Sequence, residues 1–192
     1  PSHNYADVYD LMFRLRKNEV KLVIECGLGT NDSAIRSSMG VHGKPGASLR
    51  LWKDYFKNAK IIGVDVDPHT LFSEDRIQTF QCDQTNTASI HEFVFKAKIE
   101  HNSADIIIDD GLHEFSAGKC FFEEMIPYLS PNGIYVIEDI TPQDTFLYKD
   151  FFLGKSHMYN ALFFNLTRPV WEPYPFIGDN RLIVVQKNDH RY

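Results

Sequence analysis

The stretch IIIDDGLHEF, residues 106–115, ends an apolar run in two carboxylates, Asp109 and Asp110, with the imidazole of His113 just beyond a glycine. Acids and a base at one strand end suit proton transfer beside a bound cation. Carboxylates hold a hard metal through oxygen, and imidazole titrates near neutrality. Further along, VIED places Glu138 and Asp139 at the end of another apolar run. Neighbouring strand ends lie roughly 5 Å apart, so Asp110, Glu138 and Asp139 converge if these two strands are adjacent. Carboxylates that close repel one another. A divalent cation relieves the repulsion, and an all-oxygen set favours Mg²⁺ or Ca²⁺ over zinc. The competing assignments are acids that cap helices or pair with Arg or Lys, and a histidine that is merely an exposed loop residue.

A second group of candidates surrounds ECGLGT, residues 25–30. Gly27 and Gly29 fall where a strand turns into a loop, and glycine permits positive φ and close approach of a ligand to backbone. A dinucleotide fingerprint would need another glycine at position 32, which is Asp32, and a helix directly after it. An insertion over 31–45 intervenes instead, so nicotinamide dinucleotide binding is disfavoured. Asp65 ends the next strand, where an acid accepts both hydroxyls of a ribose, and Asp67 shares or replaces that role. Asp83 ends the following strand, placed to accept from an adenine amino group. Each alone is also an ordinary strand end or helix N-terminal acid.

The elements that must position these residues follow from periodicity. The chain has 192 residues, 43% of them hydrophobic, enough for one domain with a substantial core. Helical spacing covers 4–17, 46–56, 87–99, 117–133 and 146–152. Buried or alternating strands cover 21–30 (a short strand running into a glycine turn), 60–68, 77–83, 104–111, 134–139, 158–166 and 181–187. Strands alternating with helices, and apolar on both faces, imply a mostly parallel sheet covered on both sides, with ligands outside the carboxyl ends of the strands. Glu25, Asp65, Asp83, Asp109–Asp110 and Glu138–Asp139 then line one edge of the sheet. The net charge of −6 argues against a nucleic-acid partner. No apolar run approaches the ~20 residues of a membrane span, and no signal segment opens the chain, so a cytoplasmic protein is expected. The 3 cysteines, Cys26, Cys82 and Cys120, lack zinc or disulfide spacing.

Taken in order, the glycine turn, Asp65 and Asp83 resemble the class I S-adenosylmethionine-dependent methyltransferases, over nearly the whole chain from Lys21 to Lys187. LSPNGIYVIED looks like that family's Pro-Gly turn and following strand. The resemblance implies an α/β, Rossmann-like fold: a seven-stranded, mostly parallel sheet, helices on both faces and an antiparallel last strand. It implies a single domain over 1–192, with an N-terminal helix within 1–20, the insertion loop 31–45 and an aromatic, proline-rich loop 168–180. For the cofactor it implies Glu25, Gly27, Gly29, Ser48, Asp65, Asp67, Asp83 and Asp109.

A narrower resemblance rests on IDDGLH followed by VIED, with SHNYADVYDLMF (2–13) and GASLRLWKDYFKNAKIIGVDVDP (46–68). These are similar to the metal-dependent sugar O-methyltransferases of macrolide biosynthesis, of the mycinamicin methyltransferase type, and to the cephalosporin-hydroxylase-like family. That similarity implies Asp110, Glu138 and Asp139 as magnesium ligands and His113 as general base. Leu112 stands where the family commonly has Ser. The implied activity is Mg²⁺-dependent methyl transfer from S-adenosylmethionine to a sugar hydroxyl of a saccharide, a glycoside, or an antibiotic or polysaccharide precursor. The rivals are a catechol, amine or phosphoramidate acceptor, and a non-catalytic cofactor-binding protein. Neither a nucleic acid nor a membrane is an expected partner, and the analogy leaves room for a homo-oligomer. Tyr5, Tyr9 and His3 are placed either to cover the cofactor or substrate or to pack, and packing is favoured.

Overall fold

The computed structural model describes residues 3–166 and 178–188. The aromatic tract 168–176 therefore lies outside the described residues. The described strands form one sheet in the order β3-β4-β2-β1-β5-β6-β8-β7. Its parallel centre comprises β4 (Ile77–Gln81), β2 (Lys60–Asp65), β1 (Leu22–Cys26), β5 (Ala104–Asp109) and β6 (Leu129–Ile137). The last two strands, β7 (Tyr159–Asn165) and β8 (Arg181–Lys187), close it in antiparallel fashion.

Side chains alternate across the pleat. Ile106 and Ile108 of β5 face a core shared with α1 (Ala6–Phe13) and α2 (Ala47–Tyr55), where Phe13, Leu49 and Phe56 are fully buried. Ile107 faces the opposite core, filled by Phe93 of α3 (Thr87–Ala97), Phe121 and Phe122 of α4 (Phe115–Met125) and Phe152 of α5 (Pro142–Gly154). Helices thus cover both faces, as expected. The chain leaves β1 first towards β2 and β4, then returns to build β5 and β6 on the other side. That reversal between β1 and β5 opens a crevice at their carboxyl ends.

Among the described residues there are eight strands in place of the expected seven. The extra one is β3 (Ser73–Glu74), antiparallel to β4 and too short to give a periodic signal. The helix expected over 117–133 stops earlier: a 3-10 turn at Ile126–Tyr128 carries Pro127, and Leu129 already pairs with Ala104 of β5. Pro127 lacks the N–H a continuing helix needs, and the SPNG segment sits within β6. Conversely α5 starts before the expected 146, because Thr141 caps it by accepting from Asp144 N–H and Pro142 fits its first turn. No described helix is long and apolar enough to cross a membrane.

Candidate active site

The crevice is built on a close backbone approach. Gly27 leaves β1 at φ +95°, and its N–H donates to Val64 O at 2.8 Å. A Cβ on Gly27 would lie 2.0 Å from the Asp110 carbonyl oxygen. Glycine is required there twice over, by φ and by space. Asp110 N–H in turn donates to Cys26 O at 2.9 Å, and Glu138 N–H donates to Asp109 O at 2.9 Å. The three strand ends are therefore tied in register, and the acids of β5 and β6 do meet.

Two cavities flank this seam. The first, about 290 Å³, is lined by Gly27, Gly29, Asp65, Asp83 and Asp110, with Ile35, Arg36 and Ser37 of the insertion along its wall. Asp65 accepts from Leu28 N–H at 2.7 Å and from Asp67 N–H at 2.9 Å, which fixes its carboxylate at the cavity edge. Asp67 turns to Thr30 Oγ1 and His69 N–H and is not part of the lining. Asp83 accepts from Thr85 N–H at 2.9 Å. Asp109 lies behind the cavity: its Oδ1 accepts from Gln84 Nε2 at 3.0 Å, and its buried Oδ2 has no hydrogen-bond partner among the described residues.

The second cavity, about 610 Å³, is lined by Glu25, Ser48, Tyr5, Tyr9, Trp52, Asp110 and Glu138 among others. Glu25 accepts from Ser48 Oγ and Trp52 Nε1, and Glu138 accepts from Tyr9 Oη. Asp110 lines both cavities. Around it, Asp110 Oδ1 lies 3.2 Å from His113 Nε2, and Asp139 Oδ2 lies 3.8 Å from His113 Nδ1. Ligand atoms of Asp110, His113 and Asp139 all fall within 4.8 Å of one another. Asp139 also accepts from Tyr5 Oη at 2.7 Å and lies 3.3 Å from His3 Nδ1. Both His113 and Asp139 hold positive φ, +59° and +53°. Non-glycine residues in that region are uncommon and concentrate at functional sites.

The four candidates from β5 and β6 are thus gathered, though Glu138 is held by Tyr9 rather than among the Asp110, His113 and Asp139 ligand atoms. Glu25 and Ser48 fall on the second cavity, away from Asp83 on the first. Tyr5 and Tyr9, favoured by sequence as packing residues, both pack their rings and turn their hydroxyls to Asp139 and Glu138, and Trp52, expected on an apolar helix face, also donates to Glu25; Gln84 is the residue that no sequence signal marks. Tyr9 stacks on Phe13 and meets Trp52 edge-on, so its packing role is real as well.

The electrostatics are those of acids short of positive charge. Burial pushes Glu25 up to about 8 against the pull of Ser48, and the charge of Asp110 adds to the rise. Burial and then Asp110 raise Glu138 well above the carboxylate range, and the same two causes raise Asp139. Burial raises Asp109 to about 6. Burial by itself would lower His113, but its hydrogen bond to Asp110 and the charges of Asp110 and Asp139 outweigh it and raise the ring to about 9. In the metal-free protein the imidazolium is the counter-charge of the cluster. The oxygen donor set, lodged where added negative charge is disfavoured, fits a hard divalent cation.

All these shifts point the same way, so one pH prediction follows. A group whose folded pKa is raised binds more protons in the folded state, and its stabilisation is lost as pH rises through the folded value. Metal-free protein in EDTA is therefore expected to melt higher at pH 5.5 than at pH 9, by roughly 5 °C or more. Mg²⁺ should close most of that gap. Thermal unfolding followed by circular dichroism reads both; a melting temperature that climbs from pH 5.5 to 9 in EDTA would contradict this electrostatic picture.

Comparison with known proteins finds similarity to methyltransferases. No family model matches the chain. It is 31% identical over 138 residues to the 8-demethyl-8-alpha-L-rhamnosyl tetracenomycin-C 2'-O-methyltransferase of Streptomyces olivaceus, covering 72% of this chain and 33% of that protein. It is 33% identical over 138 residues to the mycinamicin VI 2''-O-methyltransferase of Micromonospora griseorubida, covering 72% and 32%. The chain thus spans about a third of the length of the curated relatives it matches. In structure it is similar to the MycE methyltransferase of the mycinamycin pathway, solved with Mg, SAH and mycinamycin VI. The TM-score is 0.67 at 24% identity, over 95% of this chain and 48% of that one. The chain has the Rossmann-like fold of the methyltransferases, and over 72% of its length it is similar in sequence to sugar O-methyltransferases of macrolide and tetracenomycin pathways.

Proposed function

We propose that this chain is the catalytic domain of a divalent-metal-dependent O-methyltransferase that uses S-adenosylmethionine and acts on a sugar hydroxyl of a glycoside. The observation that carries this reading is Asp110, which lines both cavities and stands beside Asp139 and His113. A metal-dependent methyl transfer needs a ligand at the point where cofactor space and acceptor space meet.

The cofactor's adenosine part is assigned to the smaller cavity, with Asp65 towards the ribose, Asp83 towards the adenine, and Gly27 and Gly29 allowing the backbone approach. Glu25 and Ser48 are assigned to its amino-acid end, a carboxylate suited to an ammonium group. Asp110, Asp139 and Glu138 would hold the cation, with Tyr5 and Tyr9 orienting the last two. When bound, the cofactor supplies an electrophilic methyl group and the cation lowers the pKa of a coordinated hydroxyl.

His113 takes the acceptor's proton. A cation held by Asp110 and Asp139 would take up the charge that otherwise stabilises the imidazolium, which would leave the His113 ring a neutral base. The acceptor's hydroxyl is aligned for in-line displacement by the walls around it, which supply proximity rather than covalent chemistry. Tyr5, Tyr9, Trp52 and Tyr55 give the larger cavity an aromatic lining suited to a sugar ring and an apolar aglycone. The activities of the relatives, on a rhamnosyl tetracenomycin and on mycinamicin VI, support a glycoside acceptor.

The test is methyl transfer from labelled S-adenosylmethionine to a panel of macrolide and aromatic polyketide glycosides, free monosaccharides and catechol, with Mg²⁺ or EDTA. Label is expected on a glycoside sugar, with Mg²⁺ only. Transfer to catechol but no glycoside, or transfer undiminished by EDTA, contradicts the reading.

A further inference from the structure

The loop after β4 does not rise directly into α3. Cys82 N–H extends the strand onto Asp65 O at 2.9 Å, and Gln84 then reaches the end of β5. In the sheet β2 and β1 lie between β4 and β5, a span of roughly 14 Å at ordinary strand spacing. A polar side chain sent that far into a buried place needs a reason, and Gln84 is only 6% exposed.

Its amide is used at both ends. Nε2 donates to Asp109 Oδ1 at 3.0 Å, and Oε1 accepts from Leu112 N–H at 2.6 Å. Only this orientation works: a flipped amide would set NH₂ against N–H and its oxygen against a carboxylate oxygen. A Cβ on Gly111 would lie 1.9 Å from Oε1, so glycine at 111 is what lets the amide close on the loop. From the other side Ser37 Oγ of the insertion donates to Leu112 O at 2.9 Å. Leu112 is thus gripped at its N–H and its carbonyl, between Asp110 and the positive-φ His113. Both bonds are made by the Leu112 backbone, so the grip does not depend on the side chain at this position.

We propose that Gln84 is a positioning residue: from the wall of the cofactor cavity it fixes the 109–113 loop, and with it the placement of Asp110 and His113. The proposal builds on the reading of Asp110 as a metal ligand. Residues that orient a ligand from behind typically control metal affinity by ~10–100-fold.

The test is Gln84→Met, which keeps length and volume but loses both hydrogen bonds. Three quantities are read: exchange of the Leu112 amide by NMR in EDTA, with Ile107 as a core reference; Mn²⁺ affinity; and S-adenosylhomocysteine affinity. Leu112 exchange at least ~10-fold faster with Ile107 unchanged, Mn²⁺ binding at least ~10-fold weaker, and a cofactor-product affinity little altered would support it. Unchanged Leu112 exchange overturns it. Equal losses of Mn²⁺ and S-adenosylhomocysteine affinity also overturn it, because Gln84 would then serve the cofactor cavity as a whole. If Gln84→Met does not fold, Gln84→Asn carries the test: the shortened amide reaches Asp109 and Leu112 poorly, so Leu112 exchanges faster and Mn²⁺ binding weakens. Loss of neither, or of Leu112 protection alone, contradicts the proposal. Absence of Mn²⁺ binding in the unsubstituted protein would remove the metal reading, while Leu112 exchange would still decide the clamp.

Discussion

Asp110→Asn is expected to eliminate divalent-metal binding and to cut methyl transfer by at least ~10³-fold, since a bound cation supplies several kcal/mol of charge stabilisation. Asn keeps the shape and can still accept from His113, which Asp110 Oδ1 meets at 3.2 Å. The substitution therefore removes charge rather than packing. It should not destabilise the metal-free fold, because the negative charge of Asp110 helps raise the pKa of Glu138, Asp139 and Glu25. Calorimetry with Mg²⁺, and melting in EDTA, read the two halves. Lost metal binding accompanied by a large fall in the EDTA melting temperature would mean that Asp110 is chiefly structural.

His113→Asn should lower kcat by ~10²–10⁴-fold, the usual worth of a general base, while leaving metal and cofactor affinities within a few-fold. Asn is chosen over Ala because position 113 holds φ +59°, a conformation that Asn tolerates better than most residues. The Asp110 backbone is held separately, by its N–H to Cys26 O, so the ligand need not move when the ring goes. The measurement is steady-state kinetics on the best glycoside of the panel, beside calorimetry with Mn²⁺ and S-adenosylhomocysteine. A kcat within ~3-fold of the unsubstituted enzyme would remove His113 as the base.

Much of this site is legible in the sequence because strand ends are local signals. Acids after apolar runs, such as Asp65, Asp109–Asp110 and Glu138–Asp139, announce themselves, and parallel topology obliges them to share an edge. What holds those acids is not local. Tyr5 reaches Asp139 and Tyr9 reaches Glu138 from far away in the chain, and the same two residues satisfy a helix-face pattern that packing explains fully. Gln84 gives no pattern at all; its role exists only because its loop turns across the sheet end. Asp65 and Asp67 look interchangeable as strand-end acids, and only the turn after β2 separates them, leaving Asp65 on the cavity and Asp67 on Thr30. The expected loop over 168–180 falls largely outside the described residues.

The most direct test is calorimetric titration of S-adenosylmethionine into the protein, run with Mg²⁺ and again with EDTA. Cofactor binding in both, with a separate Mg²⁺-binding event that vanishes in Asp110→Asn, is the predicted result. Cofactor binding with no metal event at any concentration up to millimolar Mg²⁺ would contradict the site at Asp110, and folded protein that binds no cofactor would contradict the whole assignment.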